Sequence, residues 1–354
     1  MVSPPDRIGA TDLGSQILPG QTGALPKVFR MATAYWASQA VYAAAKLGLA
    51  DALAEQPKSI GEIATELRAD SNSLARLVRV LVDLGVFAVE DDGRVRLTVL
   101  GGPLQSGMPG SLHSMILTLG EEHYQAWGSL TESIQSGGPG FNNVFGSPLF
   151  QYLKSNPTAS QTFNQAMDDF TSQVALAATL AYDFSGIQTL ADIGGGHGVL
   201  LGKILKSNPS MLGILFDSSH VIEGAMRHIE SEGLGGRCET VAGSFFESVP
   251  LGADAYVLKN VLHDWDDEHA VIILKNCHRA MRKGSRLLVL EVVLPVLEDR
   301  SFGGLLDLNM LVMSGGRERT REEYYKLFDE SGFRLTHVIP TMALVSILEA
   351  LPLT

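Results

Sequence analysis

The stretch Leu190–Gly198, Leu-Ala-Asp-Ile-Gly-Gly-Gly-His-Gly, constrains the fold of this chain more than any other. A short apolar run, Thr189 to Ile193, reads as a buried strand, and four glycines then fall within five residues: Gly194, Gly195, Gly196 and Gly198. An apolar helical pattern, Val199-Leu200-Leu201-Gly202-Lys203-Ile204-Leu205, follows at once. Strand, glycine turn and helix compose the first half of a nucleotide-binding βαβ unit. Glycine lets the backbone approach a ligand closely and take positive φ, and the helix N-terminus presents free N–H donors there. Four glycines also cost too much backbone entropy for an ordinary connection.

The kind of nucleotide follows from spacing. A dinucleotide fingerprint needs glycine at the first, third and sixth positions of the turn. Counted from Gly194 the sixth position is Val199, and counted from Gly196 it is Leu201, so the fingerprint fails in both registers. What remains, Asp192-x-Gly194-x-Gly196-x-Gly198, resembles the turn of class I methyltransferases, which implies S-adenosylmethionine as the ligand.

At 354 residues the chain is long enough for two domains with separate cores. A net charge of −12 weighs against nucleic acid or an anionic membrane as partner. The two cysteines, Cys238 and Cys277, form neither a CxxC nor a zinc spacing, which fits a reducing cytoplasm. The N-terminal residues carry Asp6, Asp12, prolines and glycines rather than an apolar signal-peptide core, so no signal peptide is expected. No run of 18 apolar residues predicts a transmembrane helix.

Four regions are expected. Residues 1–26, rich in Gly, Pro and Ser, read as a flexible arm. Residues 27–110 read as a mostly α winged-helix domain. Tyr35, Trp36, Val41, Tyr42 and Ala45 fall near helical spacing, a stripe suited to packing or a subunit interface. Ser59 can cap a helix carrying Ile60, Ile63, Ala64 and Leu67, and Ser71 or Ser73 opens a second that Gly85 stops. Val86–Val89 and Arg94–Leu97 predict a hairpin across Asp91-Asp92-Gly93. Such a unit suggests DNA binding, but residues 1–110 hold 10 basic and 11 acidic side chains, and a groove reader needs a basic face.

Residues 111–184 read as a helical linker that contributes to a substrate pocket, with Met167 and Phe170 one turn apart. Residues 185–354 alternate strand and helix, which predicts a mostly parallel, doubly wound sheet. Strands are expected at 189–193, 211–217, 237–242, 254–259 and 286–292, and helices near 198–207, 219–232, 267–282 and 320–331. Phe333–Ile339 and Ala343–Glu349 predict a closing antiparallel pair.

Ligands of such sheets bind at the carboxyl ends of the strands. Asp217 ends the second strand, where a carboxylate can accept hydrogen bonds from both ribose hydroxyls. Ser244 and Phe245 follow the third strand, where an adenine would lie and Phe245 could stack. The fourth leads into Lys259-Asn260-Val261-Leu262-His263-Asp264-Trp265-Asp266-Asp267-Glu268. A metal set of His263, Asp266 and His269 is conceivable, but the acids are explained as cap and first turn of the next helix.

Four segments, Asp192–Gly198, His263-Asp264-Trp265, Glu291 with Pro295, and Gly315-Gly316-Arg317-Glu318-Arg319-Thr320, resemble the plant caffeate/flavonoid type of small-molecule O-methyltransferase and its bacterial relatives. The resemblance runs from about residue 30 to the C-terminus. It implies an α/β class I methyltransferase, Rossmann-like with a mixed seven-stranded sheet, whose winged-helix domain makes a homodimer. It implies His263 as general base, flanked and oriented by Glu291 and Glu318, no metal, and cofactor positions at Asp192, Gly194, Gly196, Asp217, Phe245, Lys259 and Trp265. One departure stands out: the family often has Asp, bound to the adenine amino group, where this chain has Ser244.

The expected reaction is in-line transfer of a methyl group to a hydroxyl of a small acceptor. Reference pKa values of about 6.5 for histidine and about 10 for a phenol leave the proton transfer uphill by roughly 3.5 units. An acceptor site between the domains would draw on Met167, Phe170 and the helix Phe302–Met313, where Met310 and Met313 are three apart and thioethers adapt to flat rings. Two other readings are a winged-helix metabolite-sensing regulator, opposed by the charge, and a cofactor-binding relative without transferase activity, opposed by His263, Glu291 and Glu318.

Overall fold

The computed structural model describes residues 24–295 and 302–353, so the expected arm lies almost wholly outside the described residues. Two compact units emerge: the chain up to Tyr124 with Thr158–Ala166, and Gln125–Pro157 with the chain from Met167 onward. The helical stretch 111–184 is thus shared between them. Among the described residues no helix is long and apolar enough to cross a membrane.

In the first unit the helix Ala24–Lys46 ends at Gly48, whose φ of +72° stops it. Ser59 caps the helix Ile60–Leu67 in a reciprocal box with Glu62. The next helix, Ser71–Asp83, opens at Ser71 as expected, and Asp70 before it supplies the cap, its carboxylate accepting from Ser73 N at 2.8 Å. A charged acceptor at the positive end of the helix dipole outcompetes a hydroxyl one residue later. The hairpin pairs β1 (Phe87–Val89) with β2 (Val95–Leu97). Leu49, Ile63, Leu74, Val78, Leu81 and Phe87 fill the core. Along the helix Ala24–Lys46, by contrast, Val28, Phe29, Met31, Tyr35 and Trp36 stay exposed.

The second unit is built on β3 (Thr189–Ile193), β4 (Leu212–Asp217), β5 (Cys238–Ala242), β6 (Ala255–Lys259) and β7 (Arg286–Glu291). Short strands β8 (Val293–Leu294) and β9 (Arg319–Thr320) pair with each other, and β10 (Phe333–Pro340) and β11 (Ser346–Pro352) complete the sheet. Its order is β10-β11-β7-β6-β3-β4-β5, parallel except for the two pairings of β11. The closing strand begins later than the expected Ala343, because Thr341 folds the chain first: its hydroxyl donates to Val345 O at 2.6 Å and accepts from Ala343 N.

Apolar layers cover both faces of this sheet, one around Leu190, Leu201, Leu205 and Leu288, the other around Tyr256, Ile273, Leu274 and Phe328. Burial on both faces explains why the central strands β3, β6 and β7 are nearly continuous apolar runs, whereas β5 and β10 toward the edges are not. From β3 the chain winds to β4 on one side and returns to β6 on the other, so the carboxyl ends of β3 and β6 diverge and leave a crevice.

Candidate active site

Around that crevice the glycine turn wraps closely on its neighbours. A Cβ on Gly195 would fall 2.7 Å from Asp192 Cγ and 2.4 Å from Leu215 Cδ1, so only glycine lets the backbone fold back over the strand end. A Cβ on Gly196 would meet nothing within 4 Å, and its N–H instead donates to Asp217 Oδ2 at 2.8 Å. The other oxygen of Asp217 accepts from Ser218 N and Oγ. Turn and carboxylate, distant in sequence, are one unit.

Asp192 is fully buried, and neither carboxylate oxygen has a hydrogen-bond partner among the described residues. Burial pushes its pKa up to about 7, in spite of Lys259. An unsatisfied buried carboxylate is costly unless a bound donor or cation completes it. A buried carboxylate with both oxygens orphaned beside the glycine turn fits a cationic or hydrogen-bond-donating ligand. Lys259 Nζ donates to Thr171 Oγ1 at 2.9 Å and sits 5.9 Å from the ring centre of Phe170. Burial lowers the lysine pKa, countered first by Asp192.

Beyond β5 the chain turns through Ser244, whose Oγ accepts from Phe246 N at 3.3 Å. Asn276 Nδ2 anchors the turn by donating to Phe245 O at 2.7 Å. Phe245 lies edge-on to Trp265 at 6.2 Å between centroids, and Phe246 packs against the same indole at 4.7 Å. The aromatic wall expected for an adenine is therefore assembled from two loops.

His263 lies on a single helical turn, Leu262–Asp264, after β6. Asn260, at φ +54°, turns the chain out of the strand, a conformation asparagine tolerates better than most residues. The first oxygen of Glu291, Oε1, accepts from Val261 N and Leu262 N at 2.9 and 2.8 Å, and so holds this turn. The imidazole Nδ1 lies 3.0 Å from Glu318 Oε1 and 3.6 Å from Glu291 Oε2, and the three side chains pack within 4.8 Å of one another. The side chain keeps 11% of its surface open, and Nε2 makes no hydrogen bond among the described residues, with Asp264 Oδ1 4.0 Å away.

Burial alone would lower the pKa of His263. The carboxylates of Glu291, Asp264 and Glu318 outweigh it and raise the pKa to about 10. Burial likewise pushes Glu291 up, against the pull of His263.

What brings the two glutamates to the ring is the pairing of β8 with β9. Val293 aligns with Arg319, so the segment just after Glu291 runs beside the segment just after Glu318. Arg319, fully buried, clamps the same loop: its guanidinium donates to Asp267 Oδ1, Leu262 O and Trp265 O, each at 2.9 Å. Sequence reasoning quoted Arg319 within a motif but gave it no role, and it passed over Asp307, whose Oδ1 accepts from Glu318 N at 2.9 Å. An Asp in the apolar run Leu305–Met313 was the available signal for the second.

Of the four expected acceptor residues, Met167, Phe170 and Met310 are half-buried, whereas Met313 is buried in the protein interior at 1% exposure. The conceived metal set does not form. Asp266 Oδ1 accepts from His269 N and pairs with the ring of His269 as a helix cap.

Comparison with known proteins adds the remaining findings. The O-methyltransferase dimerisation domain matches residues 29–102 and the O-methyltransferase domain matches residues 127–334. A phenazine O-methyltransferase of Lysobacter antibioticus is 44% identical over 348 residues, covering 98% of this chain and 99% of that protein. An O-demethylpuromycin-O-methyltransferase of Streptomyces alboniger is 38% identical over 339 residues, covering 94% and 90%. The crystal structure of human N-acetylserotonin methyltransferase in complex with S-adenosylmethionine is similar with a TM-score of 0.88 at 29% identity, covering 95% of this chain and 99% of that one.

Proposed function

Because this chain belongs to the S-adenosylmethionine-dependent O-methyltransferase family, we propose that it methylates a phenolic hydroxyl on a flat aromatic acceptor with His263 as general base. The observation that carries this reading is the imidazole itself: Nδ1 is held by Glu318 at 3.0 Å, and Nε2 is left without a hydrogen-bond partner in a ring that keeps some open surface. Bound S-adenosylmethionine supplies a methyl group on a cationic sulfur, whose C–S bond breaks with its electron pair left on sulfur. The acceptor oxygen attacks the methyl carbon, and Nε2 takes the hydroxyl proton. Glu318 and Glu291 fix the tautomer and stabilise the imidazolium that forms.

The acid cluster also answers the proton problem posed by the reference values. Because the three carboxylates raise the His263 pKa, the imidazole moves toward a phenol and the uphill gap narrows. The same shift favours the protonated ring in the free enzyme, and only the neutral ring is a base. The kcat/KM of the enzyme therefore rises with pH through the range in which the imidazolium loses its proton. Glu318→Gln removes one anion, lowers the pKa of His263 and moves that rising limb to lower pH by about 1 unit or more. A pH-rate profile on one acceptor compares the two enzymes. A limb that stays in place, or activity that falls as pH rises through it, counts against the assignment.

Asp192 with the turn at Gly194 and Gly196 takes the amino-acid end of the cofactor, Asp217 the ribose, Phe245 and Trp265 the adenine ring, with Ser244 beside it and Lys259 behind. Met167, Phe170 and Met310 line the acceptor's place, and Met313 backs them from the core. Similarity to the phenazine enzyme makes fused-ring hydroxyarenes the first acceptors to try. Incubation with S-adenosylmethionine and a panel of such phenols, read by mass spectrometry, tests the proposal: one added methylene on an acceptor supports it, and none across the panel opposes it.

Residues 27–110 serve as the dimerising domain. The exposed side chains Phe29, Met31, Tyr35 and Trp36 leave an apolar stripe that a second copy would cover. Phe29→Glu with Trp36→Glu is expected to give a monomer in light scattering where the unaltered protein is a dimer.

A further inference from the structure

We propose that Asp168 and His197 are positioning residues that hold the glycine turn in its cofactor-binding shape, and so set the affinity for S-adenosylmethionine. The proposal rests on the reading of this turn as the cofactor's seat.

His197 is the one residue with a side chain inside the run Gly194–Gly198, and nothing in the transfer chemistry uses it. Its Nδ1 lies 2.6 Å from Asp168 Oδ2, and the two side chains keep only 24% and 26% of their surface open. Asp168 stands on the helix Pro157–Ala181, between Met167 and Phe170, the two residues expected beside the acceptor. The other edge of the ring packs on the helix Ser219–Ser231: a Cβ on Gly224 would fall 2.9 Å from Nε2. The imidazole is thus wedged between two helices while its backbone belongs to the turn. Thr171, one helical turn beyond Asp168, accepts from Lys259 Nζ at 2.9 Å. One helix face therefore grips the ends of both β3 and β6.

The charges facing His197 come from three elements: Asp168 on its own partner helix, Asp217 at the end of β4, and Arg227 on the helix Ser219–Ser231. The hydrogen bond from Asp168 raises the imidazole pKa against burial, and Asp217 adds while Arg227 opposes. A protonated ring makes the pair ionic, so the grip on the turn weakens as pH rises through the His197 pKa.

The test measures binding of S-adenosylhomocysteine, the stable product, by calorimetry, together with steady-state kinetics and ligand-free thermal melting. In Asp168→Asn and His197→Ala the Kd and the KM for S-adenosylmethionine rise about tenfold, a size ordinary for neighbouring charged groups. The acceptor KM and kcat stay within about threefold, since neither residue touches the reacting atoms. Asp168→Asn moves the pH at which affinity declines to lower values, and Asp168→Glu restores both affinity and its pH response. Melting temperatures that fall in step with affinity, or an unshifted pH response in Asp168→Asn, overturn the proposal. Unchanged affinity in both variants also overturns it. Failure of the unaltered protein to bind the ligand at all instead overturns the cofactor reading of the turn, and this inference with it.

Discussion

Turnover in His263→Ala falls by about 10²- to 10⁴-fold at saturating acceptor, while S-adenosylhomocysteine still binds with nearly unaltered affinity. The loss is that of general-base assistance from Nε2, since the nearest other carboxylate on that side, Asp264 Oδ1, lies 4.0 Å beyond it. Glu291 Oε1 is engaged with Val261 N and Leu262 N, and Glu318 approaches the ring from its Nδ1 side. Activity is not abolished, since holding acceptor and methyl donor in line supplies roughly 7–11 kcal/mol on its own. Asp192, Gly196 and Asp217, where the cofactor is proposed to sit, are built on other elements and keep their arrangement in this variant. Turnover equal to that of the unaltered enzyme would sink the general-base assignment. Loss of cofactor binding in parallel would mean that the alanine disturbed the loop rather than the chemistry.

Gly316→Ala is expected to destabilise the protein by about 2–4 kcal/mol and to remove most of its activity. A Cβ there would lie 1.9 Å from His263 O, 2.5 Å from Asp264 C and 2.8 Å from Asp264 Cα. All three are backbone atoms, so no side chain can rotate away, and one of the two segments must move. That movement strains the hydrogen bond from Arg317 N to His263 O, 2.8 Å long, and with it the approach of Glu318 to the ring. Gly304→Ala is the control: its Cβ meets nothing within 4 Å, and alanine inside the helix Gly303–Met313 is neutral or stabilising by up to about 1 kcal/mol. Thermal melting and kcat/KM on both variants decide the matter. A Gly316→Ala protein that melts and turns over like the control would show that the two loops do not need this close approach.

Much of the catalytic unit was legible because its information is local. A strand buried on both faces is an apolar run, and β3, β4, β6 and β7 lie within a residue or two of the ranges expected from that rule. The glycine turn announced itself through the backbone cost of four glycines. The start of the helix Ser71–Asp83 was legible at Ser71, but its cap was not: Asp70 supplies it, and only the geometry of the incoming chain places that carboxylate against Ser73 N. Met313 was read from helical spacing as a partner of Met310, but spacing tells which residues share a face and not how deep each one lies.

Sequence by itself determined the strand, glycine turn and helix that open the sheet, the doubly wound order of elements, and the identities of His263, Glu291 and Glu318 as residues worth joining. It could do so because hydrophobic period, turn chemistry and motif spacing act over a few residues. Tertiary structure alone decided that these three side chains meet, since 28 residues separate the first pair and 27 the second. The meeting depends on the short pairing of β8 with β9, which has no local signature, and on Gly316 and the buried Arg319, whose motif was legible but whose contacts were not. It also decided the direction in which the ring's pKa moves. A pKa is set by desolvation and by the carboxylates within a few ångströms, and those distances exist only once the chain has folded.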